Sequence, residues 1–210
     1  MTFAAERDVV STYQSPGQYV ELRVDGQTGF FVLANDPGAA AWDLILRSGG
    51  GASDVLLTLE PGARLEVTSA IGVGFPMHEA HEHPLIVALG GSGIAAGRPI
   101  LARRVTDGDA ARTKVLVGVR TGSELPMRTD LEAWLGSGVD LLVCLSKDAG
   151  SIEGIPYVHG YVQDVLRASA TKPLPPESRI FVVGTASMID ALKSLALELG
   201  IAPDHVHTNH

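Results

Sequence analysis

The stretch that decides the fold is Pro84-Leu85-Ile86-Val87-Ala88-Leu89-Gly90-Gly91-Ser92-Gly93-Ile94-Ala95. Its apolar run does not alternate, which suits a strand buried on both faces of a parallel sheet rather than one with a wet face. The glycines that follow open a helical pattern, IAAGRPILARRV over 94–105. A glycine turn in that place lets backbone N–H groups close on a pyrophosphate, and the helix N-terminus favours the anion's charge. A plain strand-to-helix turn has the same local look, so the surrounding pattern must carry the argument.

Working outward, the same alternation recurs. KVLVGV (114–119) precedes ELPMRTDLEAWLG (124–136), DLLVCLS (140–146) precedes YVQDVLRASA (161–170), and RIFVVG (179–184) precedes ASMIDALKSLALELG (186–200), with DHVHT (204–208) as a short last strand. Apolar strands alternating with amphipathic helices predict a doubly wound parallel sheet. Upstream, YVELRV (19–24), GFFVLA (29–34), DVLLTL (54–59) and RLEVTSA (64–70) read as short strands punctuated by DGQTG, NDPG, RSGGG and EPGA. That spacing predicts a β-barrel or sandwich. The polar, histidine-rich GVGFPMHEAHEHP (72–84) is the natural boundary between differently built halves. The expected fold class is therefore α+β with two domains: an antiparallel β-barrel over 1–80 and a doubly wound α/β domain over 84–210.

Composition narrows the function. A formal net charge of −8 lacks the basic face that nucleic acid requires. No apolar run reaches the roughly 18–20 residues that span a bilayer, and MTFAAERDVV carries no export pattern, so a cytoplasmic protein without a membrane partner is expected. Cys144 is the only cysteine, which excludes an internal disulfide and a cysteine-ligated iron–sulfur cluster. Set in VDLLVCLS, it reads as inert core.

Several motifs in one order resemble the ferredoxin–NADP reductase superfamily. GGSGIA (90–95) is similar to that family's GGTGIAP stretch. Gly50-Gly51 with Ser53-Asp54-Val55-Leu56-Leu57-Thr58-Leu59-Glu60-Pro61-Gly62 resembles its GGxSxxLxxLxPGD segment. Pro16-Gly17-Gln18-Tyr19-Val20 resembles its PGQY/F strand, and Gly72-Val73-Gly74-Phe75-Pro76 its GxGFP turn. Gly118-Val119-Arg120, Gly160-Tyr161-Val162-Gln163 and Val183-Gly184-Thr185-Ala186-Ser187-Met188 sit where the family has GxR, GxV and CGPxxM. The resemblance spans most of the chain.

It implies hydride transfer from NADPH or NADH to FAD and then electron transfer to an acceptor, the protein supplying orientation and electrostatics. It implies a flavin-binding type of barrel, with Gly50, Gly51 and Ser53 at the flavin pyrophosphate and Phe31 beside the ring. Gly90, Gly91, Ser92, Gly93 and Ile94 would hold the nicotinamide dinucleotide, with Gly184 and Met188 at the nicotinamide pocket and Arg120 near the adenosine. Ser146, Lys147 and Tyr161 match places where NADP-specific members bind the 2′-phosphate and stack on adenine, which gives a weak preference for NADPH. A protein electron acceptor or donor is the implied partner; oligomeric state is not legible.

Three departures qualify the resemblance. The family's R-x-Y-S motif is here Gly29-Phe30-Phe31-Val32, which loses the arginine and the hydroxyl. Val183 replaces the cysteine of CGPxxM. The chain begins close to the PGQY motif, so the first barrel strand is expected to be missing or incomplete, leaving a truncated barrel with an open edge. FAD should bind weakly.

Other residues take blander readings. His78, His81 and His83, with His205, His207 and His210, lack the fixed spacing of a zinc site, and no metal is assigned. His159 reads as a capping or solvated residue, Trp134 as core, and Arg98, Arg103 and Arg104 as a solvated helix face. The contrasting function is a non-catalytic dinucleotide-binding or assembly module whose flavin site has decayed.

Overall fold

The computed structural model describes residues 1–147, 151–169 and 174–209. In the N-terminal half β1 (Thr2–Phe3), α1 (Arg7–Val10), β2 (Tyr19–Val24), β3 (Gln27–Val32), β4 (Trp42–Asp43), α2 (Ala52–Leu57) and β5 (Glu66–Val67) follow in order. β2 lies between β3 and β5 in an antiparallel sheet, and β1 pairs antiparallel with β4. The alternation of YVELRV sends Val20, Leu22 and Val24 inward, where they meet Tyr13, Leu33, Trp42, Leu44 and Leu56. DVLLTL departs from expectation, because residues 52–57 are helical rather than extended. The buried positions there, Ala52 and Leu56, are four apart, the helical spacing rather than the strand's two.

A short helix, α3 (Met77–Ala80), leads into the second half. There follow β6 (Leu85–Gly90), a 3₁₀ turn over Gly91–Ala96, α4 (Gly97–Thr106), β7 (Thr113–Val119), α5 (Arg128–Gly136), β8 (Asp140–Leu145), β9 (Tyr157–His159), α6 (Val162–Ser169), β10 (Arg179–Val183), α7 (Ala186–Glu198) and β11 (Val206–Thr208). The strands form one parallel sheet in the order β11-β10-β6-β7-β8-β9. Leu85, Val87 and Leu89 pack with Ile100, Leu101, Leu131 and Trp134 on one face, while Ile86 and Ala88 pack with Val165, Leu166, Leu192 and Leu195 on the other. Apolar side chains on both faces explain the unbroken hydrophobic runs. β9 was not anticipated, since all three of its residues are exposed and carry no periodicity.

One polar motif ties the N-terminal half together, and a ring stack and a terminal asparagine join it to the parallel sheet. The Gln18 side chain accepts from the amides of Gln14 and Ser15 (2.7 and 2.9 Å) and donates to Gly72 O (3.0 Å), which accounts for the glutamine after Pro-Gly. Phe75 of the GVGFP turn is buried and stacks on Phe181 of β10, the rings 4.7 Å apart. Asn209, just after β11, donates to Gly17 O at 3.1 Å.

Arg98 and Arg103 are on the surface as expected, but Arg104 is 1% exposed. Its guanidinium pairs with Asp109 at 2.9 Å and donates to Ala80 O, His83 O and Thr113 Oγ1 (2.5, 2.8 and 2.8 Å). A buried arginine is tolerable because every donor direction meets an acceptor.

Candidate functional site

The winding of the parallel sheet reverses between β6 and β10. In open α/β sheets, ligands enter the crevice outside the carboxyl ends of the strands at such a reversal. Those ends are Gly90 and Val183-Gly184. A Cβ added to Gly93 would stand 2.6 Å from Val183 Cγ1 and 2.8 Å from Val183 O, so the turn after β6 lies directly on the end of β10. Gly91 has φ +56° with nothing within 4 Å of an added Cβ, so it faces open space.

A cavity of about 740 Å³ occupies this crevice. Gly90, Gly91, Ser92, Gly93, Arg120, Ser146, Tyr161, Gly184 and Met188 line it, so nine of the expected residues converge. Thr185 caps α7 by accepting from Met188 N at 3.4 Å, which sets the turn beneath the methionine. Ser146 N and Lys147 N extend the β7 ladder by donating to Val119 O and Arg120 O (3.0 and 2.8 Å).

The remaining expected residues lie off the wall. Ile94 is fully buried and belongs to the core, so its contribution is to packing. Lys147 is exposed beside Ser146. Phe31 packs against the N-terminal core, its ring over Gly29: an added Cβ there would stand 2.7 Å from Phe31 Cε2. The space left by the missing side chain is thus filled by the ring, as close packing requires. Gly50 and Gly51 have φ of +97° and +62°, with open space at Gly50 and Gln27 Oε1 4.0 Å from an added Cβ at Gly51, and Ser53 Oγ donates to Arg47 O at 2.6 Å.

Two wall residues, Arg47 and Glu124, were missed by sequence reasoning, and Val32, read only as the place of a lost hydroxyl, also lines the cavity. Val32 brings the end of β3 onto the cavity. Glu124 binds Arg120 through two 3.0 Å contacts and Arg47 through a third of 3.0 Å. Hydrogen bonding from Arg120 and the positive field of Arg47 and Lys147 hold the Glu124 carboxyl below its usual range. The Arg120–Glu124 spacing of four residues was a readable signal; Arg47, 77 residues distant from Glu124, carried none.

Cys144 touches the cavity but is buried, and burial pushes its thiol up to about 12, which leaves it without thiolate chemistry. A larger cleft, about 1130 Å³, runs beside α4 among Pro16, Pro37, Phe75, Pro99, His81 and Asp107; it touches neither the Gly90–Gly93 turn nor Gly184. Among the described residues no three His, Cys, Asp or Glu side chains gather as a metal site, and no helix is long and apolar enough to cross a membrane. His210 lies outside the described residues.

Comparison with known proteins agrees with this geometry. Residues 87–194, just over half of the chain, match the oxidoreductase NAD-binding domain family. The chain is 29% identical over 203 residues to ferredoxin–NADP reductase B of Sorangium cellulosum (strain So ce56), covering 91% of this chain and 82% of that protein. It is 23% identical to fruit protein pKIWI502 of Actinidia deliciosa, covering 95% and 67%. Among solved structures, a ferredoxin NADP⁺ reductase from Neisseria gonorrhoeae with bound FAD and NADP superposes with a TM-score of 0.77 at 17% identity, covering 99% of this chain and 89% of that one. The Amycolatopsis cytochrome P450 reductase GcoB gives 0.79 at 22% identity, and this chain spans 60% of its length. The chain belongs to the oxidoreductase NAD-binding domain family and has the two-domain fold of the ferredoxin–NADP reductases.

Proposed function

We propose that this chain is an FAD-dependent NAD(P)H oxidoreductase that hands electrons to, or takes them from, a protein partner. The observation that carries the reading is that Val32, at the end of the N-terminal strand, shares one cavity with Gly90–Gly93, Gly184 and Met188. A flavin held by the N-terminal half and a nicotinamide held by the sheet would therefore meet in the same space. FAD, when bound, supplies the hydride-accepting ring. The protein's part is to hold and orient: Gly50 and Gly51 form an open loop able to approach a pyrophosphate, Gly90–Gly93 approach the dinucleotide, and Met188 packs at the nicotinamide end. The relatives named above point the same way, since one is a ferredoxin–NADP reductase and the Neisseria structure carries FAD and NADP. The division into residues 1–80 and 84–210 and a cytoplasmic location belong to the same proposal; a lone buried cysteine suits a reducing compartment.

FAD should be held loosely. No cation stands at position 29, and a charge-assisted contact there contributes about 1.5–3 kcal/mol. Purified protein is expected to be sub-stoichiometrically yellow, and added FAD should show quenched fluorescence. Well-folded protein that leaves FAD fluorescence unchanged would contradict the reading. The ring of Phe31 over Gly29 favours one alternative, a dinucleotide-binding or assembly module whose flavin grip has decayed.

The proposal includes a preference for NADPH through Ser146, Lys147 and Tyr161. A lysine is a point-charge ligand for a 2′-phosphate. Lys147→Ala is expected to weaken NADPH binding by about 1–3 kcal/mol and leave NADH unchanged, as calorimetry would measure. Equal losses for both would remove the basis of the preference.

A further inference from the structure

The loop assigned above to the flavin pyrophosphate already holds an anion. The backbone turns through Gly50 and Gly51 at φ +97° and +62°, and the amides just before the turn converge on one acceptor. Gly49 N donates to Asp54 Oδ1 at 3.0 Å, and Gly50 N donates to Asp54 Oδ2 at 2.9 Å. The Ser48 side chain donates to the same carboxylate, and Asp54 is held below the usual carboxylate range chiefly by the Gly49 contact. Two oxygens of one anion taking two successive amides is the geometry by which such a nest binds a phosphate. Two side-chain donors beside the loop are engaged as well. Ser53 Oγ is turned inward onto Arg47 O, and the Arg47 guanidinium reaches across to Glu124.

We propose that Asp54 is an internal competitor for the flavin pyrophosphate: its carboxylate occupies the Gly49 and Gly50 amides, so FAD gains those two donors only by displacing it. This rests on the flavin reading given above. Asp54 is one residue beyond Ser53 and reaches the loop only because residues 52–57 are helical, which brings the first helical turn back over the glycines. The competition acts against the phosphates and not against the flavin ring, since among the described residues the hydrogen bonds to the Asp54 carboxylate come from Ser48, Gly49 and Gly50. A cation at position 29 would outweigh it, and none is present. The chain is thereby built for a flavin that exchanges rather than one retained through purification.

The test measures the affinity of the full-length protein for FAD and for riboflavin, which has no phosphate, in wild type, Asp54→Ala and Asp54→Asn. Circular dichroism establishes that each is folded. Asp54→Ala should tighten FAD at least tenfold, and Asp54→Asn, which keeps an acceptor but loses the charge, by less; riboflavin affinity should stay within twofold throughout. Unchanged or weaker FAD binding in both folded variants, with riboflavin still bound, overturns the proposal while leaving the flavin reading standing. Absence of binding by either flavin to any of the three proteins overturns the flavin reading, and the proposal falls with it.

Discussion

Gly93→Val is expected to abolish dinucleotide binding and to destabilise the fold together, whereas Gly91→Val should abolish binding in a protein that still folds. The two glycines do different work although they are two residues apart. A side chain at Gly93 meets a backbone oxygen, Val183 O, at 2.8 Å, so the turn must lift from the end of β10 and carry the crevice with it. Overpacking of this kind costs about 1–3 kcal/mol or more. At Gly91 nothing stands in the way, and the cost is the left-handed backbone, φ +56°, about 1–2 kcal/mol for a residue with a Cβ. Its side chain projects where the dinucleotide phosphates must approach. Thermal unfolding with NADPH and NADH titration separates the effects. Unchanged affinity in a folded Gly91→Val protein would place the dinucleotide elsewhere.

Asp109→Ala is expected to lose about 3–5 kcal/mol of stability, because it leaves Arg104 buried without its counter-charge. The side chain of Asp109 is 4% exposed. Burial pushes its carboxyl up, but the Glu82 amide and the Arg104 guanidinium together outweigh burial and hold it below the usual range. A carboxyl depressed in the folded state contributes stability above its unfolded pKa of about 3.9 and loses it as pH falls through the lower folded value. In denaturant titrations, wild type and Asp109→Asn should therefore differ most near neutrality and converge as the pH drops below about 4. The double replacement Arg104→Met with Asp109→Leu should recover part of the loss, since it leaves no buried charge unpaired, while Ala80 O and His83 O still lose a donor and the Glu82 amide an acceptor. A difference that persists undiminished in acid would mean that the ion pair is not what holds the Ala80–His83 segment to α4.

What the sequence made legible follows from what each signal depends on. The parallel sheet was readable because LIVAL is apolar throughout and KVLVGV, DLLVCL and RIFVV are apolar after one charged first residue, a requirement of local position between two helix layers. The glycine turn was readable because its place after the first of those strands is a matter of chain order. Arg104 was not, since Arg-Arg in an amphipathic helix looks solvated until Asp109 and the carbonyls of Ala80 and His83 fold around it. DVLLTL looked extended because it is a short apolar run between two glycine-containing turn signals, while the helical outcome is settled by Ala52 and Leu56 packing beneath β2 and β3. Phe31 was expected beside a flavin; that its partly buried ring also fills the space over Gly29 depends on a glycine two residues away, whose effect on packing no local pattern announces. Arg47 reached the cavity through a tertiary contact with Glu124 that no local pattern announces.

The central claim is that the N-terminal half and the parallel sheet bring flavin and nicotinamide together in the cavity shared by Val32, the Gly90–Gly93 turn, Gly184 and Met188. Anaerobic mixing of NADPH or NADH with the protein in excess FAD tests it most directly, with the flavin absorbance near ~450 nm as the readout. The account predicts bleaching with a rate that saturates in dinucleotide and that Gly91→Val removes. A folded protein that binds the dinucleotide yet bleaches FAD no faster than the dinucleotide does alone would contradict it.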